Sequence, residues 1–277
     1  MKKMSLIIIA LIICFTGSTN LFAQTSTQPI GSGTDIDPYQ IANADNLYWI
    51  TQTTASWSKN FIQTADIDAS ASGNWNSNSG FTSIGNNVTS FTGYYNGQGH
   101  IIDGVTIKAG ASYAALFGWV SDATIINLGL TNVNYNSSAP YSGGLIGICA
   151  RDITVINCFA RGDITTTGNN AGGLIGYVSG NWAGTNINIS NCYSSCNVTG
   201  NVYVGGLFGA CLYAATEVHS CYSTGQVNGK TCVGGFAGWI DKAKIYDCYS
   251  TSDANRTSGT NQEIGAFCGR TSTSPTI

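Results

Sequence analysis

The sequence predicts an all-β chain wound into a parallel β-helix, a solenoid with coils of about 29 residues. Three observations carry that expectation. A glycine-rich block recurs as YAALFGW (113 to 119), YSGGLIGI (141 to 148), AGGLIGY (171 to 177), VGGLFGA (204 to 210), VGGFAGW (233 to 239) and IGAFCGR (264 to 270), and its last glycine falls at 118, 147, 176, 209, 238 and 269. The intervals are 29, 29, 33, 29 and 31 residues, the slight variation expected of loops at one corner of a repeating unit. A second block follows each of the first five: ATIINL (123 to 128), ITVINCFARGDI (153 to 164), INISNCYSSCNV (187 to 198), TEVHSCYSTGQV (216 to 227) and AKIYDCYSTSDA (243 to 254). Finally, short apolar alternations are broken by Gly and Asn with almost no helical period, the pattern of strands a few residues long joined by tight corners.

The chain opens on MKKMSLIIIALIICFTGSTNLFAQ, two lysines followed by an apolar run from Leu6 to Phe15 and then small and polar residues. This reads as a secretory signal, residues 1–23, cleaved after Ala23, with Cys14 inside its apolar run. The run is too short to span a bilayer well and nothing later reaches about 20 apolar residues, so no transmembrane segment is expected. Residues 24–110 are then a cap and the first coils, and 111–277 the repeat coils of the same continuous solenoid. In IANADNLYWI, Asn43 precedes a short stretch with Leu47 and Ile50 on one face, a helical turn suited to cover the first coil. A cap is physically required, because a bare coil end exposes unpaired strand edges. At the other end TSTSPTI stops the last block without a visible cap, so that either the chain is part of a longer one or its end is covered by something the sequence does not reveal.

Within the repeats, like residues fall into columns. Ile125, Val155, Ile189, Val218 and Ile245 share one, and Leu128, Cys158, Cys192, Cys221 and Cys248 share another. Stacked at about 4.8 Å from coil to coil, each column makes an interior ladder. The position before the cysteine holds Asn127, Asn157, Asn191, Ser220 or Asp247, all residues that tolerate turns. Glycine is expected where a bend takes positive φ or where backbones pack closely.

The GGL-x-G block followed by I-x-N-C-Y-S-T-G-x-V resembles the GLUG motif of bacterial secreted and surface proteins, among them adhesin-like chains and non-catalytic parts of IgA-cleaving peptidases. VGGLFG with CYSTGQV matches closely, whereas YAALFG lacks the paired glycine and IGAFCG breaks off before its second half. The resemblance extends upstream through GSGTDIDPYQIANADNLYWI and FTGYYNGQGHIIDGVTI, and so covers most of the chain beyond residue 23. It implies a right-handed β-helix and no single biochemical activity, since the motif marks architecture.

Composition narrows the function further. Of 277 residues 43% are hydrophobic and only 9% charged, so polarity comes from Asn, Ser, Thr and Gly. Without the signal, 9 Lys and Arg face 14 Asp and Glu, a formal charge of −5, and no basic run exists to meet phosphates. Nucleic acid is therefore not an expected partner.

Nine cysteines remain beyond the signal. Coil spacing permits disulfides between neighbours in the Cys158 column. The other reading makes them small hydrophobes in interior ladders, with Leu128 in the same column and Cys149 and Cys211 sharing another with Val120, Val178 and Ile240. No CxxC pair, Cys/His cluster or HExxH occurs, so no metal and no cofactor is expected. His219 sits at a variable surface position and His100 at a turn.

Enzymes on this fold use clustered carboxylates, for which Asp66 with Asp68, and Asp35 with Asp37, are the candidates. Neither pair has a recurring partner, and both are read as turn carboxylates, with no catalytic residue expected. The feature most suggestive of binding is aromatic. Phe159, Tyr193, Tyr222 and Tyr249 each follow the column cysteine and so point outward if the cysteines point inward. A second outward column holds Trp119, Ile148, Tyr177, Ala210 and Trp239. Such rows can stack on sugars or anchor a protein, and they also stabilise a sheet surface simply by touching one another. The expected function is a secreted or cell-surface adhesin-like scaffold without catalysis that binds a glycan or a host or matrix protein through a lateral sheet face. The alternatives are a polysaccharide-acting enzyme and a passive spacer.

Overall fold

The computed structural model describes residues 24–108, 112–179, 185–212, 215–258 and 263–272. The expected signal, the boundary at 110/111 and most of TSTSPTI lie outside them. The chain is nearly all β and is wound as a solenoid of parallel sheets.

One coil shows how the sequence does this. Tyr141–Gly143, Ile146–Cys149, Ile153–Ile156 and Phe159–Thr166 are its four strands, separated by corners of only a few residues. Each strand pairs in parallel with its counterpart one coil before and one coil after. Val155, for example, lies opposite Ile125 and Ile189, and Ile148 opposite Trp119 and Tyr177. The result is four parallel sheets of eight, ten, six and six strands. Tyr39–Ile41, Asn60–Gln63 and Tyr94–Asn96 carry the first sheet into the leading coils.

The interior ladders follow the sequence columns. Tyr95, Ile125, Val155, Ile189, Val218 and Ile245 run in register down one sheet, all buried. Leu116, Leu145, Leu174, Leu207 and Phe236, the residue after each pair of small residues, fill the opposite side. Each such side chain contributes about 1.5–3 kcal/mol on burial. The leading coils are fuller: Phe61, Phe91, Tyr95 and Phe117 pack ring against ring at 4.8 to 6.1 Å. A helix over Ala44–Gln52 covers them, and its N-cap Asn43 accepts the Asn46 N–H at 3.0 Å while Leu47 and Ile50 turn inward.

Glycine and asparagine divide the corner work more sharply than the sequence suggests. At the corner before the Leu128/Cys158 column positive φ falls to Asn127 (φ 54°), Asn157 (55°), Asn191 (53°), Ser220 (53°) and Asp247 (51°), while Asp122, Asp152 and Lys242 take it at another corner and Gly162 and Gly225 take it a few residues past the column cysteine. Asparagine side chains also link the coils, Asn157 Nδ2 donating to Asn127 Oδ1 at 2.9 Å and Asn127 Nδ2 to Asn96 Oδ1 at 3.1 Å. Because a β-branched residue strains at such φ, Asn191→Val should lower stability by about 1–2 kcal/mol and Asn191→Gly by much less. Urea unfolding of the two variants side by side tests this, and equal losses would contradict it.

The glycine blocks instead answer to close approach. A Cβ on Gly172 would lie 2.0 Å from the Ile175 carbonyl oxygen across its own corner, and one on Gly205 2.1 Å from that of Phe208. The second glycine of each pair faces the small residue after the ladder aromatic. A Cβ on Gly144 would meet Ala160 Cβ at 2.5 Å, one on Gly173 Ser194 Oγ at 2.0 Å, and one on Gly206 Ser223 Cβ at 2.9 Å. The GG of one block and the S of CYS in the next are thus two halves of one contact across a narrow coil.

Candidate binding surface

The aromatic ladder forms with close regularity. Phe159 lies opposite Tyr193, Tyr193 opposite Tyr222 and Tyr222 opposite Tyr249. Their ring centroids are 4.8, 4.8 and 5.1 Å apart and the planes differ by 6°, 2° and 5°. The strand alternation that buries Cys158, Cys192 and Cys221 leaves Phe159, Tyr193 and Tyr222 partly exposed and Tyr249 54% exposed. Gly129 sits beneath the first ring, where a Cβ would lie 2.4 Å from Phe159 Cζ.

Face-to-face stacking has a chemical consequence. Each inner ring covers the face of its neighbour, so the ladder presents edges and phenol hydroxyls outward in place of open π faces. Arg161 reinforces it: the guanidinium carbon lies 5.1 Å from the Phe159 centroid and 5.4 Å from that of Tyr193, and Nη2 donates to the Tyr193 hydroxyl at 2.6 Å. Burial, followed by the neighbouring phenols Tyr193 and Tyr249, raises the Tyr222 phenol above its ordinary range, with Arg161 opposing. Beside the rings runs a polar row in which Asn134 is opposite Asp163 and Asp163 opposite Asn197. Asn197 Nδ2 donates to Asp163 Oδ1 at 2.9 Å, and Asn197 Oδ1 accepts the Gln226 N–H at 3.2 Å.

The second column is in register but discontinuous. Ile148 pairs with Trp119 and Tyr177, and Ala210 with Tyr177 and Trp239, yet Ile148 and Ala210 are buried. The large aromatics on either side of these smaller side chains cover them. Trp119, Tyr177 and Trp239 instead join residues that the sequence reading passed over. Tyr113 meets Trp119 edge-on at 6.2 Å, Tyr141 packs on Tyr113 at 6.3 Å and Tyr177 on Tyr141 at 5.6 Å. Tyr203 packs on Trp239 at 5.0 Å, where Arg270 also lies 5.0 Å from the ring centroid. These tyrosines just ahead of the glycine blocks do not recur in every repeat, which is why a column search misses them.

All nine described cysteines are free thiols. In the Cys158 column the backbone N–H of Cys158, Cys192 and Cys221 donates to the next coil's Sγ at 3.4, 3.4 and 3.3 Å. Cys192 and Cys221 Sγ donate in turn to the carbonyls of Ser190 and His219 at 3.1 and 3.2 Å. Burial pushes Cys196 and Cys211 up to about 12, the opposite of an activated nucleophile. No cluster of three or more His, Cys, Asp or Glu suited to a metal occurs among the described residues.

The carboxylates are taken up in local structural contacts. Asp66 Oδ1 accepts the Ile101 N–H at 3.0 Å and lies 3.2 Å from His100 Nδ1, and these contacts hold it below the ordinary carboxylate range. Asp68 accepts the Ser70 N–H at 2.9 Å, and Asp35 accepts from Asn60 Nδ2. His219 stacks on Tyr246 at 4.8 Å and lies 3.8 Å from Glu217, on the surface as its variable position suggests.

No described protein family matches the chain. Halomucin of Haloquadratum walsbyi is 36% identical over 155 residues, 53% of this chain but 2% of halomucin's own length. A crystal structure from Bacteroides ovatus, of a protein described as a candidate immunoglobulin A1 protease, superposes with a TM-score of 0.71 at 25% identity, covering 86% of this chain and 72% of that one. Among the described residues no helix is long and apolar enough to cross a membrane. The chain is a β-solenoid of the kind seen in that Bacteroides ovatus protein and shares a stretch of sequence with halomucin.

Proposed function

We propose that this chain is a secreted or surface-exposed adhesin-like scaffold built from GLUG-type repeats, that residues 1–23 are its export signal, and that it binds a glycan or a protein without catalysing a reaction. One observation carries the reading: the half-exposed ladder Phe159, Tyr193, Tyr222 and Tyr249, braced by Arg161 and bordered by Asp163 and Asn197. An aromatic and amide surface of this kind gives apolar contact with fixed hydrogen-bonding groups beside it. The likeness to halomucin, a mucin by name, supports a place outside the cell. Because the ring faces are covered, recognition goes through ring edges, phenol hydroxyls and the guanidinium. Trp119, Tyr177 and Trp239 add smaller aromatic patches on a neighbouring face.

The test is binding of residues 24–277 to immobilised glycans and matrix proteins, alongside two variants. Changing Tyr193, Tyr222 and Tyr249 together to Phe keeps the stack and removes the hydroxyls, and changing them to Ser removes the stack. Both should weaken binding at least tenfold, with the Phe variant melting within a few degrees of the parent. A folded parent chain that binds nothing would refute the reading and leave a spacer.

A further inference from the structure

A cleft of about 400 Å³ opens in the leading coils, away from the tyrosine ladder, at the lower end of the size range of small-molecule sites. Its walls combine Trp57 and Phe81, each only 3% exposed, with Ser83, Asn86, Asn87 and Tyr113. Among the described residues no acidic or basic side chain lines it. The Trp57 indole N–H is already committed to the Ile50 carbonyl at 2.8 Å, so this residue offers the cleft only apolar surface.

The walls are held in place before anything binds. Ser83 Oγ donates to the Tyr113 carbonyl at 3.1 Å, and the Asn87 backbone N–H meets the Tyr113 hydroxyl. Asn86 Oδ1 accepts the N–H groups of Val88 and Thr89, both at 2.9 Å, which closes the loop on itself. Fixed walls lower the ordering penalty of binding.

From this composition we infer that the cleft is a binding site for a neutral saccharide. Sugar C–H groups suit the half-exposed Tyr113 ring, with Trp57 and Phe81 as a nearly covered apolar floor, and sugar hydroxyls suit neutral amides and hydroxyls, whereas an ionic ligand would find no counter-charge among the described lining residues. The site extends beyond one sugar. Tyr113, Tyr141 and Tyr177 lead away from the cleft along the coil axis, their centroids 6.3 and 5.6 Å apart, and offer further sugar units their ring edges. This inference is independent of the tyrosine ladder.

Saturation-transfer NMR on residues 24–277 tests it with glucose, galactose, N-acetylglucosamine, cellotriose and chitotriose, and with glucuronic acid as the charged probe. At least one neutral sugar should show transfer, and its trisaccharide should bind at least fivefold tighter than the single sugar. Thr82→Trp and, separately, Asn87→Trp fill the cleft from exposed positions and should each weaken binding at least tenfold. Asn188→Ala, an exposed position on another sheet, should leave it unchanged. Transfer from none of the neutral probes, equal binding of glucuronic acid, or binding that survives both filling variants in a folded chain would overturn the inference.

Discussion

Gly173→Val is expected to prevent the solenoid from folding. A Cβ at this position would stand 2.0 Å from Ser194 Oγ and 2.2 Å from the Gly206 carbonyl oxygen. The first neighbour is a side chain fully buried on the opposite wall of its coil, and the second is backbone of the next coil. Neither can retreat without opening a ladder. Gly173 N donates to the Gly205 carbonyl at 3.2 Å and its own carbonyl accepts from Gly144 N at 3.2 Å, so any outward shift breaks a bond to a coil on each side. Alanine alone should lose about 1–3 kcal/mol as overpacking. Valine adds two methyl groups to the same clash and should exceed about 4 kcal/mol, a large part of the stability of a whole domain. In a solenoid each coil is supported chiefly by its neighbours, so the damage should spread along the axis. Circular dichroism melts and limited proteolysis of Gly173→Ala and Gly173→Val measure the effect. A valine variant that melts within a few degrees of the parent would show that the coil is wider at this contact than described.

The same contact shows what could be read without coordinates. The columns were legible because a solenoid places equivalent residues on top of one another, so Val155 under Ile189 is at once a sequence alignment and a physical contact. The helix over Ala44–Gln52 was legible from Asn43 and two inward positions, and the outward direction of Tyr193 from a period of two. The pairing of GG with the serine of CYS was not, because it crosses the coil interior, where no sequence spacing records which walls approach. Stacking hid a second feature. A column of tyrosines can be read from the repeat, but whether the rings offer faces or edges depends on their planes, and each of these lies within 6° of the next. The cleft beside Tyr113 was not legible because it forms where residues 79–87, which have no counterpart in the repeat, meet the first repeat block.

Alkaline pH should unfold this chain well before it affects an ordinary β protein, and the cause is the interior thiols. Cys196 and Cys211 are fully buried and pushed up to about 12 by desolvation, and burial likewise leads the upward shifts of Cys149 and Cys192. In the unfolded chain a thiol ionises near 8.5. Below that pH both states keep the proton and these groups contribute no pH dependence. Above it the unfolded chain loses protons that the folded chain retains, so the unfolded state binds fewer and stability falls as pH rises, until the folded thiols ionise near 12. The slope is about 1.4 kcal/mol per pH unit for each thiol. Between pH 8.5 and 10, Cys196 and Cys211 together remove about 3 kcal/mol, against a total of roughly 5–15 kcal/mol for a typical domain. Cys149 and Cys192 act in the same direction, as do the buried phenols Tyr95 and Tyr135, both raised by desolvation, at higher pH. Urea midpoints under reducing conditions at pH 7, 8.5, 9.5 and 10.5 should be level up to 8.5 and drop steeply beyond. Cys211→Val places in its column a residue already present there as Val178 and Val120, and should make the fall shallower by about 1.4 kcal/mol per pH unit. A midpoint that holds steady to pH 10.5 would mean that the thiols ionise inside the fold, which a dry ladder of Cys, Val and Ile cannot permit.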